Sequence, residues 1–269
     1  MRSRYSIVEH ITKGVRFCRW RSTAAVVISV YMDTAGNRRH QAMTMGAVAG
    51  SVKKWIDFEA SWRRFLDRYE ISRLHMTDFA SSQREFKKWK GRDHSAIRKK
   101  FIERAVSCAG KHQKAGFTST VSLDDYDSVN AVYEIEENMG PPLTVCGMGI
   151  IGLVGRWAKK QGIDEKEILY FMEDGDDDKG EFISRARRYG FEVVPVSKAR
   201  SLVFDVCDMI AWKFNTAMKD ADNKKGTFEG TERSVSVVRS LVDSDKAVDR
   251  RLLMEFAHKR QFQKRPVAI

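Results

Sequence analysis

Five carboxylates in this sequence sit where acids are chemically useful. An apolar run of β type, Ala25-Val-Val-Ile-Ser-Val-Tyr-Met-Asp-Thr-Ala-Gly36, stops on Asp33 just before a turn. A second run, residues 167–173, ends on the pair Glu173-Asp174, and Asp205 and Asp208 are embedded in the apolar stretch 202–212. Three residues apart, Asp205 and Asp208 share one face of a helix, and acids among apolar neighbours are costly unless paired or metal-bound. Clustered carboxylates repel one another, and a hard cation with oxygen ligands relieves that repulsion, which points to Mg2+ or Mn2+. Two such ions roughly 3.5 to 4 Å apart activate water and stabilise the leaving oxygen in phosphodiester cleavage. The expected ligands are Asp33, Glu173 or Asp174, and Asp208, with Asp205 as an additional ligand or orienter. Neighbours on a strand alternate faces, so only one of Glu173 and Asp174 can face the site, and the sequence leaves that choice open. Each acid also has an ordinary reading: Asp33 in a turn, Asp174 opening a solvated loop, Asp208 paired with a lysine or arginine. His75 is a candidate proton shuttle, because histidine titrates near neutrality.

The elements that must position these groups are visible as changes of period. Runs at 24–32 and 41–49, separated by Thr34-Ala-Gly-Asn-Arg-Arg-His40, predict a hairpin. Trp55, Phe58, Trp62, Phe65, Leu66 and Tyr69 recur at helical spacing within 51–70, and Ile97, Phe101, Ile102, Ala105 and Val106 mark a helix at 95–109. That aromatic stripe is expected in the core rather than as a base-stacking platform. A strand at 116–123 and a helix at 124–139 follow. Beyond Pro141 and Pro142 the pattern alternates: helix 143–161, strand 167–173, helix 179–189, strand 191–196, helix 201–219. Such alternation implies crossover connections and a sheet with a parallel part. Residues 220–230 read as a polar loop, followed by a terminal helix and the basic tail Lys259-Arg-Gln-Phe-Gln-Lys-Arg265.

Two further motifs fail on context. Gly147-Met-Gly-Ile-Ile-Gly152 satisfies GxGxxG, yet only four residues separate Pro142 from its first glycine, too few for the strand that a dinucleotide site requires. Gly149, Gly152 and Gly155 are expected instead to form a smooth helix stripe against a sheet. Asp174-Gly-Asp-Asp-Asp-Lys-Gly180 begins like a calcium loop but has Lys179 and Arg185 where an EF-hand needs Gly and Glu.

At 269 residues and 42% hydrophobic, the chain can bury one substantial core with insertions. Lys and Arg total 48 against 36 Asp and Glu, a formal charge of +12, which favours polyanions such as DNA or RNA as partners. Lys53, Lys54, Arg63, Arg64, Lys87, Lys88, Lys90, Arg98, Lys99 and Lys100 are the candidate phosphate contacts, with an ordinary solvated helix face as the alternative. The four cysteines form neither a CxxC pair nor a zinc spacing and are expected as reduced thiols in a cytoplasmic protein. The longest apolar run, 143–154, is shorter than the roughly 20 residues that span a bilayer. The start resembles a signal peptide only superficially, beginning late and without a cleavage site. A soluble protein without a membrane partner is expected.

Taken with their order, the acids on the first strand, the fourth strand and the last core helix resemble the ribonuclease H-like fold. More specifically, the chain is similar to the bacterial domain-of-unknown-function family 3800. That family typically opens on a strand ending Asp-Glu-Ser-Gly, matched by Asp33-Thr-Ala-Gly36. Its later motifs resemble Leu74-His-Met-Thr-Asp-Phe79 followed by Phe86 and Trp89, then Phe171-Met-Glu-Asp-Gly-Asp176, then 204–212. The departures are Thr34 and Ala35 in place of Glu and Ser, and Asp205 where Gln is common. The resemblance implies an α/β domain at 24–219, with a mixed sheet flanked by helices and a helical insertion at about 51–115. An N-terminal extension, 1–23, would precede it, and a C-terminal helical extension, 220–269, would follow. It also implies a divalent-metal-dependent nuclease associated with phage defence or mobile elements, acting alone, as a homo-oligomer or with a defence-system partner. The alternatives are an inactive nucleic-acid- or partner-binding module of the same fold, and a small-molecule phosphohydrolase.

Overall fold

The computed structural model describes residues 28–36, 41–175, 178–223 and 238–262. The N-terminal extension, the tip of the first hairpin, most of the polar loop and the end of the basic tail lie outside the described residues.

Six strands make one mixed sheet: β1 (Ile28–Ala35), β2 (Ala42–Gly50), β3 (Ala115–Ser122), β4 (Ile168–Glu173), β5 (Val193–Val196) and β6 (Ser244–Val248), in the order β5-β4-β1-β2-β3-β6. β1, β2 and β3 form an antiparallel meander, β4 runs parallel to β1 and β5 parallel to β4, and β6 runs parallel to β3. The first five strands are therefore an antiparallel meander extended on the β1 side by two parallel strands, with helices on both faces. All nine residues of β2 are buried, as a central strand covered on both sides must be.

The pleat divides the core. Tyr31, Val48, Leu169 and Phe171 face a layer built from α1 (Val52–Asp67), α2 (Met76–Ser81), α3 (Ser95–Gly110) and α8 (Val203–Asn223). Ile28, Val30, Met32, Tyr170 and Met172 face the opposite layer. That layer holds α4 (Leu123–Asn130), α5 (Ile135–Met139), α6 (Pro142–Lys160), α7 (Lys179–Arg188) and α9 (Arg250–Lys259).

The insertion between β2 and β3 is held by its aromatics. Trp55, Phe58, Trp62, Phe65 and Leu66 are buried on α1, and Phe101 of α3 lies 4.9 Å from Phe65, 5.7 Å from Phe79 and 5.1 Å from Trp89, ring centre to ring centre. Each such side chain contributes about 1.5–3 kcal/mol on burial; the stripe belongs to the core.

Several elements depart from expectation. The helix expected at 124–139 is two, α4 and α5: the chain leaves helical geometry between them, and the Asn130 side chain at the end of α4 accepts from the Glu136 backbone N–H in the first turn of α5 at 3.0 Å. The C-terminal extension contributes β6 before its helix; with residues Ser-Asp-Lys-Ala-Val it shows almost no apolar alternation, as an edge strand paired on one side permits. Of the glycine stripe, Gly149 does pack closely, since an added Cβ would lie 2.3 Å from the Ser119 hydroxyl oxygen, whereas Gly152 is exposed. Cys146 and Cys207 are buried free thiols and Cys108 is half-buried. Among the described residues, no helix is long and apolar enough to cross a membrane.

Candidate active site

The same pleat decides where the acids go. Tyr31 faces the α8 layer, so Asp33, two residues on, faces it too; Phe171 faces that layer, so Glu173 does as well. β1 and β4 are parallel with Met32 level with Met172, which brings Asp33 and Glu173 to one end of adjacent strands. The choice left open by the sequence thus falls on Glu173. Asp174 lies past the strand, exposed, with Oδ1 3.0 Å from Lys179 Nζ.

Helix α8 delivers Asp208 to the same place, and a glycine lets it approach. Gly46 on β2 pairs with Asp33 on β1, and a Cβ there would lie 2.6 Å from the Cys207 carbonyl oxygen and 2.7 Å from the Ala211 nitrogen. The helix backbone therefore rests directly on the sheet beside Asp33. Asn215, nearly two turns beyond Asp208 on α8, ties down the end of the hairpin by donating to the carbonyls of Ala42 at 2.8 Å and Ala35 at 3.2 Å.

Between the two aspartates lies a residue that sequence reasoning missed. Lys198 Nζ is 2.7 Å from Asp33 Oδ2 and 3.2 Å from Asp208 Oδ2. In a chain this rich in lysine, its residue type carried no signal. Its position did: it follows β5, at the carboxyl end of the parallel strands, where α/β sheets place their ligand-binding groups. Asp33 and Asp208 are 5% exposed. Thr34 donates its backbone N–H to Asp33 Oδ1 at 2.8 Å, and Met76 donates its own to Asp208 Oδ2 at 3.0 Å. Burial, followed by the negative charges of Asp208 and Glu173, pushes the Asp33 carboxyl up to about 7 against the pull of Lys198.

These groups line a cavity of about 510 Å3 that also takes in His75, Trp212 and Thr216. Glu173 stands at its wall with Oε2 accepting from the Gly175 N–H at 2.6 Å. His75 is half-exposed overall; its Nδ1 is buried without a hydrogen bond and lies 3.4 Å from Asp78 Oδ2.

Asp205 is the main correction to the expected ligand set. It is fully buried and outside the cavity, with Oδ1 accepting from Arg73 Nε at 2.7 Å and Oδ2 from Trp62 Nε1 at 3.0 Å and the Leu74 N–H at 3.1 Å. Both oxygens are spent on the insertion, so Asp205 fastens α1 and the segment before α2 to α8. The backbone of that same segment then reaches Asp208 through Met76.

The basic residues also divide. Arg98 donates to the carbonyls of Phe79 and Ala80 and stacks on the Phe79 ring at 4.8 Å. Arg63, Lys54 and Lys88 donate to the carbonyls of Ser72, Lys111 and Tyr69. These four brace the insertion, whereas Lys53, Arg64, Lys87, Lys90, Lys99 and Lys100 are exposed on its surface. None of the ten lines the cavity.

No family model matches the chain, and neither a curated protein nor a solved structure is significantly similar to it. The cavity's own chemistry has to speak for it. Among the described residues, no three His, Cys, Asp or Glu side chains stand together as a metal-holding group. Two carboxylates converge on an ammonium, and a third stands at the wall. This donor set of hard oxygens, with more negative charge than Lys198 balances, fits Mg2+ or Mn2+ in type.

Proposed function

We propose that this chain is a divalent-metal-dependent nuclease of the ribonuclease H-like class, akin to the domain-of-unknown-function family 3800. The observation that carries the reading is the meeting of Asp33, from the first strand, with Asp208, from the last core helix, beside Glu173 in a polar cavity. Asp33 and Asp208 would hold the cation, and Glu173 would complete its charge balance. A bound Mg2+ or Mn2+ supplies an activated water and neutralises charge on the leaving oxygen. The protein's own part is to hold the carboxylates together in a polar cavity, where a bound cation would favour the ionised form of Asp33 that burial disfavours; His75, 3.4 Å from Asp78, is placed to accept or return a proton. The same resemblance carries the proposed setting, a cytoplasmic enzyme of phage defence or mobile elements.

The test is a cleavage panel of single-stranded, double-stranded and hybrid DNA and RNA with Mg2+ or Mn2+, comparing wild type with Asp208→Asn. The variant is expected to lose at least about 100-fold in rate, as when a charge-stabilising group is removed from a transition state. Equal rates in the two proteins would sink the assignment.

A second reading is favoured by one feature: the Asp33–Lys198 pair is already closed, and Thr34 and Ala35 add no carboxylate to that strand end. In this reading the fold binds nucleic acid without cutting it. Salt-sensitive binding that survives both EDTA and Asp33→Ala, with no cleavage anywhere in the panel, is its signature.

A further inference from the structure

The geometry points to Lys198 as a built-in counter-ion of this site, one that a divalent cation must displace in order to reach Asp33 and Asp208. This inference rests on the metal-dependent reading above and adds to it a residue that sets metal affinity.

Three observations converge on it. First, Nζ addresses the same oxygen atoms that a cation would use, Oδ2 of Asp33 at 2.7 Å and Oδ2 of Asp208 at 3.2 Å. A Mg2+ ion sits roughly 2.0–2.1 Å from its oxygen ligands, so ammonium and metal cannot both occupy the space between those two atoms. Second, the remaining oxygen sites are partly taken, since Asp33 Oδ1 accepts from the Thr34 N–H and Asp208 Oδ2 also accepts from the Met76 N–H. A cation that left the lysine in place would have to do without the oxygens that these donors and Nζ already hold. Third, Lys198 is able to leave. It sits on a single turn of 3-10 helix, Lys198–Arg200, between β5 and α8, and its side chain is 21% exposed at the cavity wall.

The charges agree with an exchange. The two aspartate oxygens within 3.2 Å are the ammonium's counter-charge at this buried point. One positive charge against two buried aspartates and the nearby Glu173 still leaves the cavity negative. A divalent ion supplies twice the charge of the ammonium at the same point, and the released lysine remains in the cavity.

The experiment compares wild type with Lys198→Met and Lys198→Arg, reading thermal melting in EDTA and Mn2+ affinity by calorimetry. Lys198→Met is expected to melt lower than wild type in EDTA, to bind Mn2+ at least about tenfold more tightly, and to be raised by Mn2+ through a larger interval. Lys198→Arg is expected to stay close to wild type. Lys198→Gln, which keeps a donor for the carboxylates but no charge, supplies the same comparison if Lys198→Met does not fold. Equal Mn2+ affinity in wild type and the neutral variants would overturn the counter-ion role while leaving the metal site standing. Absence of Mn2+ binding in every protein, with no thermal shift at millimolar metal, would overturn both.

Discussion

Asp33 and Asp205 show how far a residue's role depends on what the fold brings to it. Burial first, then Asp208 and Glu173, hold the Asp33 carboxyl near 7 rather than at 3.8. A group whose folded-state pKa lies above its unfolded one keeps its proton in the folded state while the unfolded chain has already lost it. Stability therefore falls as pH rises between about 4 and 7, and levels off above. In EDTA the wild type should be less stable at pH 8 than at pH 5, with Asp33 accounting for on the order of 2–4 kcal/mol. Asp33→Asn should flatten that part of the profile, which calorimetric melts of both proteins across the range will show; an unchanged slope would mean that Asp33 titrates normally. Asp205 shares its helix with Asp208, three residues away, and the spacing correctly puts both on one side. Nothing in that spacing says that Trp62, Arg73 and the Leu74 N–H take one of them while Lys198 takes the other. Those partners are more than 120 residues distant from Asp205 in sequence, so the division of labour is tertiary.

Among the elements, the fit of α8 against β2 decides whether a site exists. With Gly46 replaced by alanine, the new methyl would collide with backbone of α8 at Cys207 and Ala211, and backbone cannot swing aside as the end of a side chain can. Gly46→Ala is expected to cost about 1–3 kcal/mol and to separate Asp208 from Asp33, so that Mn2+ affinity falls even at temperatures where the variant is fully folded. Gly152→Ala is the control: its Cβ would have only Arg156 Nη1 near it, at 3.7 Å, and alanine in a helix interior gains roughly 0.5–1 kcal/mol over glycine. Melting curves and metal titrations of the two variants check both halves. The same contrast explains what could be read in advance. Strand and helix periods exposed the meander, the crossovers and the acids at strand ends, because apolar alternation is a local signal. The polar edge strand β6 and the arrival of Lys198 left little or no such trace, because each depends on pairing across the fold.

For the whole molecule, the formal charge of +12 is less a binding footprint than a mixture of two uses. Arg98, Arg63, Lys54 and Lys88 spend their donors on backbone carbonyls of the insertion, while Lys53, Arg64, Lys87, Lys90, Lys99 and Lys100 remain on its surface. A nucleic acid held by phosphate contacts releases counterions, and on duplex DNA the slope of log affinity against log salt changes by roughly 0.9 for each contact. Replacing Lys87, Lys90, Lys99 and Lys100 together by alanine should therefore weaken binding and reduce that slope by up to about 3.6, with the melting temperature little changed, because surface substitutions away from packed features stay within about 0.5 kcal/mol each. Arg98→Ala should behave in the opposite way, lowering the melting temperature through the lost carbonyl and Phe79 contacts while leaving the salt slope near wild type. Fluorescence anisotropy at several salt concentrations, paired with melts, separates the two classes. If the fourfold variant keeps the wild-type slope, the insertion's exposed lysines are a solvated face, and the polyanion must approach from another side of the sheet.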